Sequence, residues 1–294
     1  SEKIIDKAFE EVKKIEQLVS INMDGTELDE VNNNSGIKPV KVSDDTYNII
    51  KKGLEYSSLT NGSFDITIGH LVKLWSIGLP EAKVPTLDEI KGTLKYINYK
   101  DVEINDSEKT VFLKKPGMII DLGGIAKGYT ADVIAQTLKD EGVEKAIIDL
   151  GGNIYALGEK SENTLWRIGI QNPDQTRGEI VGSINVKDKS IVTSGIYERF
   201  IEQDGVKYHH ILSPESGYPY DNEIAGVTII SDKSIDGDAL STSVFSMGIT
   251  KGLEFINSQP DTEAIFITKD HKIYLTEGSQ EIFKLTNDDF EIMN

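Results

Sequence analysis

The sequence predicts an α+β fold with mostly antiparallel sheets and flanking helices. Helical and extended segments arrive in blocks, which disfavours a doubly wound parallel sheet built from strict βαβ alternation. Apolar residues recur at three- and four-residue spacing over residues 1–19 and 127–141. From residue 146 to about residue 230, nearly every segment reads as a short strand bounded by turn residues.

Taken in order, Ile5, Ala8, Phe9, Val12, Ile15 and Val19 mark one helical face over 1–19. Residues 20–40 read as polar and irregular, around Asn32-Asn33-Asn34-Ser35-Gly36. Helical spacing returns over 43–59, with Ser43 as its N-cap. Residues 60–80 are mixed and broken by glycine; short strands are expected near 101–120, and a strand at Met118–Leu122 leads into the glycine pair. Ala131, Ile134, Ala135 and Leu138 then define a helix over 127–141, ended by Gly142 at C′. A buried strand over 146–150 leads to Gly151-Gly152, and strands follow at 165–170, 180–186, 190–194, 197–202, 207–212 and 225–231. A helix over 238–248 and a strand pair, 263–268 and 272–276, complete the pattern. Trp75 and Trp166 are assigned to the core. There is no internal repeat or low-complexity linker, so residues 1–294 read as a single unit. Two intertwined subdomains would also fit, but no boundary can be placed.

At 294 residues the chain can bury a core without staples. Its net charge of −18 argues against nucleic-acid partners and against docking on anionic lipid. The absence of cysteine removes disulfides, thiolate metal sites and a thiol nucleophile. No apolar run approaches 18 residues, so no transmembrane segment is expected. The chain opens directly in a helical pattern, and an export signal or lipid anchor upstream would lie outside this sequence.

Three stretches carry chemistry. Asp121-Leu122-Gly123-Gly124-Ile125-Ala126-Lys127-Gly128 runs through a glycine pair into a helix N-terminus, where backbone N–H groups suit an anion. The plainer alternative is a tight turn capped by Asp121. Asp238 and Thr242 are spaced i, i+4 at an expected helix start, which places a carboxylate and a hydroxyl on one face. That pair suits Mg²⁺ with water and phosphate in the remaining positions; equally, Asp238 is an ordinary N-terminal helix charge. His209 and His210 fall in an expected strand, on opposite faces, ahead of Ser213-Pro214 and Gly217-Tyr218-Pro219. A base, a hydrogen-bond donor to phosphate, or a structural hydrogen-bonder fits there. Phe64-Asp65, after Asn61-Gly62, could stack on and bond a ring, or be a core Phe beside a capped turn.

The ordered set Gly62-Ser63-Phe64-Asp65-Ile66-Thr67, Asp121 to Gly128, Gly151-Gly152-Asn153-Ile154, Thr193-Ser194-Gly195, His210 to Pro214 and Asp238 to Thr242 resembles the ApbE family of flavin transferases. Each motif is weak alone; their joint order over about residues 1–275 is specific. The resemblance implies a T-fold-like architecture that binds FAD and Mg²⁺. It also implies transfer of FMN to a threonine of an exported or membrane-bound redox protein, with release of AMP. The implied location is extracytoplasmic, and lipid anchoring through an upstream segment is compatible with it.

The matching metal positions are the Gly124 carbonyl and the Asp238 and Thr242 side chains, with Ser241 as a further candidate. Flavin-nucleotide contacts match Phe64, Asp65, Ile66, Asp121, Lys127 and Leu212, and His210 matches a histidine implicated in activity. Asn22 occupies the place of an aromatic residue that stacks on adenine in many members, and Ser213 replaces the usual Asp before Pro214. A looser adenine site would shift the outcome toward hydrolysis of FAD to FMN and AMP. A flavin-binding module without catalysis is the third reading.

Overall fold

The structure, a computed structural model, describes residues 2–293. In chain order its helices are α1 (Glu2–Val19), α2 (Glu27–Asn33), α3 (Asp44–Leu59), α4 (Gly69–Trp75), α5 (Leu87–Leu94), α6 (Ala126–Asp140), α7 (Ser234–Met247), α8 (Ile249–Asn257) and α9 (Glu277–Ile282). The strands begin with β1 (Val40–Lys41), β2 (Val102–Asn105), β3 (Thr110–Leu113), β4 (Ala146–Asp149), β5 (Asn153–Leu157), β6 (Trp166–Gln171) and β7 (Ile180–Val186). They continue with β8 (Lys189–Gly195), β9 (Phe200–Gln203), β10 (Val206–His209), β11 (Ile224–Ser231), β12 (Glu263–Thr268), β13 (Lys272–Leu275), β14 (Phe283–Leu285) and β15 (Glu291–Ile292).

The chain forms two compact units, each assembled from separated stretches. One takes residues 2–8, 127–198 and 221–293; the other takes 9–126 and 199–220. The first, the large-sheet unit, holds a seven-stranded sheet in the order β15-β13-β12-β11-β8-β5-β4 and a three-stranded sheet β14-β7-β6. Every pairing in these sheets is antiparallel except β13 with β15. Ile168, Ile170, Val181 and Ile184 of the small sheet share one core with Ile191, Ile230, Ile265 and Ile273 of the large one. α7 packs on β8 and β11. All eight residues of β11 are buried, as expected for a strand covered on both faces.

The second, mixed unit carries the sheets β1-β3-β2 and β10-β9. Its helices include α3, whose N-cap Ser43 accepts from Thr46 N–H, and α5, which opens with a Thr86/Glu89 capping box. Leu71, Trp75, Ile90 and Leu212 form a buried cluster there, and Trp75 Nε1 donates to the Gly217 carbonyl at 2.9 Å.

Several elements differ from the sequence reading. Residues 27–33 are helical, not irregular, because Thr26 caps Asp29 N–H and Leu28 and Val31 supply a buried i, i+3 pair. Residues 118–122 form no strand; Ile119 makes an isolated parallel bridge with Ile68. β4 lies at the sheet edge with Ile147 40% exposed, so it is not a buried strand. Residues 153–157 form a strand, β5, that the sequence reading left unplaced. α7 begins at Ser234, four residues before its expected start. Trp166 is only partly buried, with its Nε1 donating to the Leu157 carbonyl.

Candidate active site

The residues singled out by sequence divide between the two units. Asn22, Phe64, Asp65, Ile66, Asp121, Gly124, His210 and Leu212 lie in the mixed unit, and Lys127, Asp238 and Thr242 in the large-sheet unit.

In the mixed unit, two distant segments run side by side. Asp121 N–H donates to the Ile66 carbonyl at 2.8 Å, and Gly69 N–H to the Ile119 carbonyl at 3.1 Å. The Phe64 ring, buried, lies against Gly124, where an added Cβ would stand 3.2 Å from the ring edge. Phe64, Ile66, Asp121 and Gly124 are therefore one cluster, although 54 residues separate its two halves in sequence. Asp121 Oδ1 accepts Gly123 N–H at 2.6 Å, which closes the glycine turn. Burial pushes its carboxyl above the usual range, against the turn hydrogen bond and the charges of Arg199 and Lys73.

Asp65 is buried, and its carboxylate joins two turns. Oδ1 accepts the Thr67 N–H at 2.8 Å and the Thr67 hydroxyl at 2.7 Å; Oδ2 accepts Tyr99 N–H at 3.0 Å. Burial raises its pKa, and these bonds oppose the rise. Asp65 also borders a cavity of about 310 Å³, with Asn61, Ser63, Tyr99, Lys100 and Tyr220 around it. Tyr220 fixes one wall by donating its hydroxyl to the Ser63 carbonyl at 2.9 Å.

His209 ends β10, but His210 lies just beyond it, so the two do not alternate on one strand. His209 Nε2 bonds the Tyr220 carbonyl at 2.9 Å. His210, half-buried, places Nδ1 3.2 Å from the Arg199 carbonyl. A carbonyl can only accept, so the ring proton belongs on Nδ1, and Nε2 is the basic nitrogen of the neutral ring. Leu212 is buried in the Trp75 cluster and bridges to Pro219. After it, the Ser213 hydroxyl accepts from Glu215 N–H at 3.3 Å and Ser216 N–H at 3.2 Å. Serine thereby supplies the turn cap that an aspartate would give. Asn22 is exposed in the turn after α1, with its N–H bonded to Ser20 Oγ.

In the large-sheet unit, Asp238 is the fifth residue of α7 and is buried. Its Oδ2 accepts Gly128 N–H, in the first turn of α6, at 2.8 Å. This fills with the chain's own carboxylate a helix N-terminal donor that the sequence assigned to a ligand anion. Lys127, the neighbouring residue, is exposed. Gly128 is required sterically: a Cβ there would stand 2.2 Å from the Ser234 carbonyl oxygen and 2.7 Å from Ile235 Cα.

The reciprocal contact was not singled out by sequence. Asp132 of α6 accepts Ser234 N–H at 2.7 Å and Ile235 N–H at 2.9 Å, in the first turn of α7. Burial pushes Asp132 up to about 6, against those two backbone bonds. No sequence signal marked it, because only the structure shows Lys233 at the N-cap of α7, where it offers no side-chain cap.

The serine hydroxyls of α7 all meet protein partners. Ser234 donates to Asn153 Oδ1 at 2.6 Å. Ser241, Ser243 and Ser246 donate to the carbonyls of Asp238, Ala239 and Ser243. Thr242, half-buried, makes no side-chain hydrogen bond to the protein among the described residues.

The sequence profile of the ApbE family matches residues 1–266. An FAD:protein FMN transferase of Klebsiella pneumoniae is 38% identical over 293 residues, spanning 100% of this chain and 91% of that protein. One from Treponema pallidum is 35% identical over 287 residues, or 93% of this chain and 79% of its own length. Among solved structures, the ApbE protein of Thermotoga maritima matches with a TM-score of 0.87 at 32% identity, covering 96% of this chain and 91% of that one. The flavin transferase ApbE of Vibrio cholerae matches with a TM-score of 0.85 at 29% identity, with the same coverage. With the profile running over most of the chain and relatives aligned nearly end to end, this protein belongs to the ApbE family.

Proposed function

We propose that this flavin transferase moves FMN from FAD to a threonine hydroxyl of an acceptor redox protein, dependent on Mg²⁺ and with release of AMP. The observation that carries the reading is the Thr242 hydroxyl, left without a protein partner in a helix whose serine hydroxyls are all engaged. One turn before it stands the buried Asp238 carboxylate. Side chains spaced i, i+4 on a helix have Cβ atoms about 5–6 Å apart, within reach of one small ion.

Both donors are hard oxygens, which suit Mg²⁺. No group of three or more His, Cys, Asp or Glu side chains able to hold a metal exists among the described residues. A donor set this sparse fits an ion that completes its shell from water and substrate phosphate, as Mg²⁺ does. Asp238 and Thr242 would hold it. When bound, Mg²⁺ would neutralise the pyrophosphate oxygens and orient them for in-line displacement.

The chain's other residues supply position and proton transfer. Phe64, Asp65 and Asp121 line and brace the flavin-nucleotide region of the mixed unit, with Lys127 and Leu212 as further nucleotide contacts. His210 Nε2 accepts the proton of the attacking threonine as its oxygen bonds the FMN phosphorus and the bond to AMP breaks. The family resemblance supports an exported or membrane-bound acceptor and work outside the cytoplasm. The exposed Asn22, in the place of a stacking aromatic residue, favours a share of FAD hydrolysis to FMN and AMP.

The test is incubation of the chain with FAD, Mg²⁺ and an acceptor domain bearing Asp-x-x-Ser/Thr-Gly/Ala-x-Thr, followed by mass spectrometry and nucleotide chromatography. FMN-modified acceptor with AMP supports transfer. Free FMN with AMP and no adduct would show a pyrophosphatase instead, and unchanged FAD that stays bound would show a binding module.

A further inference from the structure

We propose that Asp132 is a positioning residue: its carboxylate, gripping the first turn of α7, sets the helix so that Asp238 and Thr242 are aimed to hold a divalent ion. This rests on the reading of those two side chains as metal ligands given above.

The argument begins with the way α6 and α7 meet. Each helix is capped by a carboxylate of the other: Asp238 of α7 takes Gly128 N–H, and Asp132 of α6 takes Ser234 N–H and Ile235 N–H. Between these caps the backbones are so close that no Cβ fits at Gly128. α7 has no local substitute for Asp132. Lys233 makes no side-chain cap, and the Ser234 hydroxyl is already bonded to Asn153 Oδ1 and accepts from Ser190 Oγ at 2.8 Å.

The lever is short. Asp238 lies three residues beyond Ile235, about 4.5 Å along the helix axis, and Thr242 about 6 Å further. A bidentate grip on two consecutive N–H groups fixes both the rotation and the slide of the helix end. An amide at position 132 offers one acceptor oxygen and turns an NH₂ donor toward the second N–H. The first turn must then fray or rotate, and Asp238 turns with it. Mg²⁺ and Mn²⁺ sites tolerate little such movement, because the oxygen ligands must sit near 2.1 Å in octahedral order. Groups that orient a metal ligand without touching the ion typically cost about 10–100-fold in affinity when changed.

The experiment titrates the full chain with Mn²⁺ in the presence of FAD, reading free Mn²⁺ by electron paramagnetic resonance. FAD affinity without metal is measured by fluorescence, and the fold is checked by circular dichroism and melting. D238N is the control for the underlying reading. If wild-type protein binds no Mn²⁺, or D238N binds it as wild type does, the metal assignment fails and this inference falls with it.

With that control passed, D132N is expected to raise the Mn²⁺ dissociation constant by about 10-fold or more, while metal-free FAD affinity stays unchanged. D132E keeps the charge but adds a methylene where the helices already touch, so an intermediate weakening is expected. A folded D132N with wild-type Mn²⁺ affinity overturns the proposal and leaves the metal assignment standing. If D132N does not fold, D132E decides: weakened Mn²⁺ binding supports the proposal, and unchanged binding overturns it.

Discussion

Replacing Gly128 by alanine tests the α6–α7 contact directly. Inside a helix this exchange normally stabilises by about 1 kcal/mol, because alanine loses less backbone freedom on folding. Here the new Cβ would sit 2.2 Å from the Ser234 carbonyl oxygen and 2.7 Å from Ile235 Cα. An ordinary contact needs roughly 1 Å more, and the obstacle is backbone, which cannot rotate aside as a side chain would. Overpacking of this kind costs about 3 kcal/mol, the upper part of its usual range. The net expectation is a loss of about 2 kcal/mol, or a fall in melting temperature of about 4–8 °C. Gly92 in α5 is the internal control: it is exposed, helical, and nothing lies within 4 Å of its would-be Cβ. G92A should gain up to about 1 kcal/mol. The assay is paired thermal unfolding by circular dichroism or calorimetry. If G128A melts at or above wild type while G92A behaves as expected, the helices do not meet as described.

T242V should remove most Mg²⁺-dependent turnover, read by AMP release, with little change in melting temperature, since the lost hydroxyl bonds nothing in the protein. D65N should lower the melting temperature and weaken FAD binding together; its amide must place a donor against Thr67 or Tyr99 N–H, leaving a buried group unpaired at about 1–3 kcal/mol. For Asp132, burial lifts the folded-state pKa to about 6, so the folded chain holds that proton more tightly than the unfolded one does. This group's contribution to stability therefore falls as pH rises from about 4 to about 6, by about 3 kcal/mol in all. Urea midpoints across that window should show the fall in wild type relative to D132N, and parallel curves for the two proteins would refute it.

Periodicity and punctuation made much of the architecture readable in advance. The helices α3 and α6 and most of the strands come from local spacing, which the fold respects; α1 forms as a helix, but of its apolar face only Ile15 and Val19 are buried, while Ile5 and Phe9 stand exposed. Failures arose where a distant residue decides. α7 starts four residues early because its cap is Asp132, 102 residues upstream, and no local signal marks Ser234 as a beginning. Residues 118–122 look like a strand, yet their backbone partners are Ile66, in an irregular segment, and Gly69, the first residue of α4. α2 was hidden by its asparagines, although Leu28 and Val31 carry its burial. At the site, resemblance named Phe64 and Gly124 separately; that the ring of one lies against the other appears only in three dimensions. Asp132 escaped notice because its importance lies in two amide groups, which have no letter in a sequence.

The division of the large-sheet unit into three stretches has a consequence for synthesis. β8 finds its neighbour β11 only after the intervening residues 199–220 have emerged, and β11 gains its second neighbour only when β12 at 263–268 is made. A ribosome therefore holds an open, isoleucine-rich seam from the time β8 is made until β12 is complete, since long-range pairing cannot form before its partner exists. Chains stopped short of residue 263 would carry that seam exposed, and such fragments should be found in inclusion bodies or bound to chaperones.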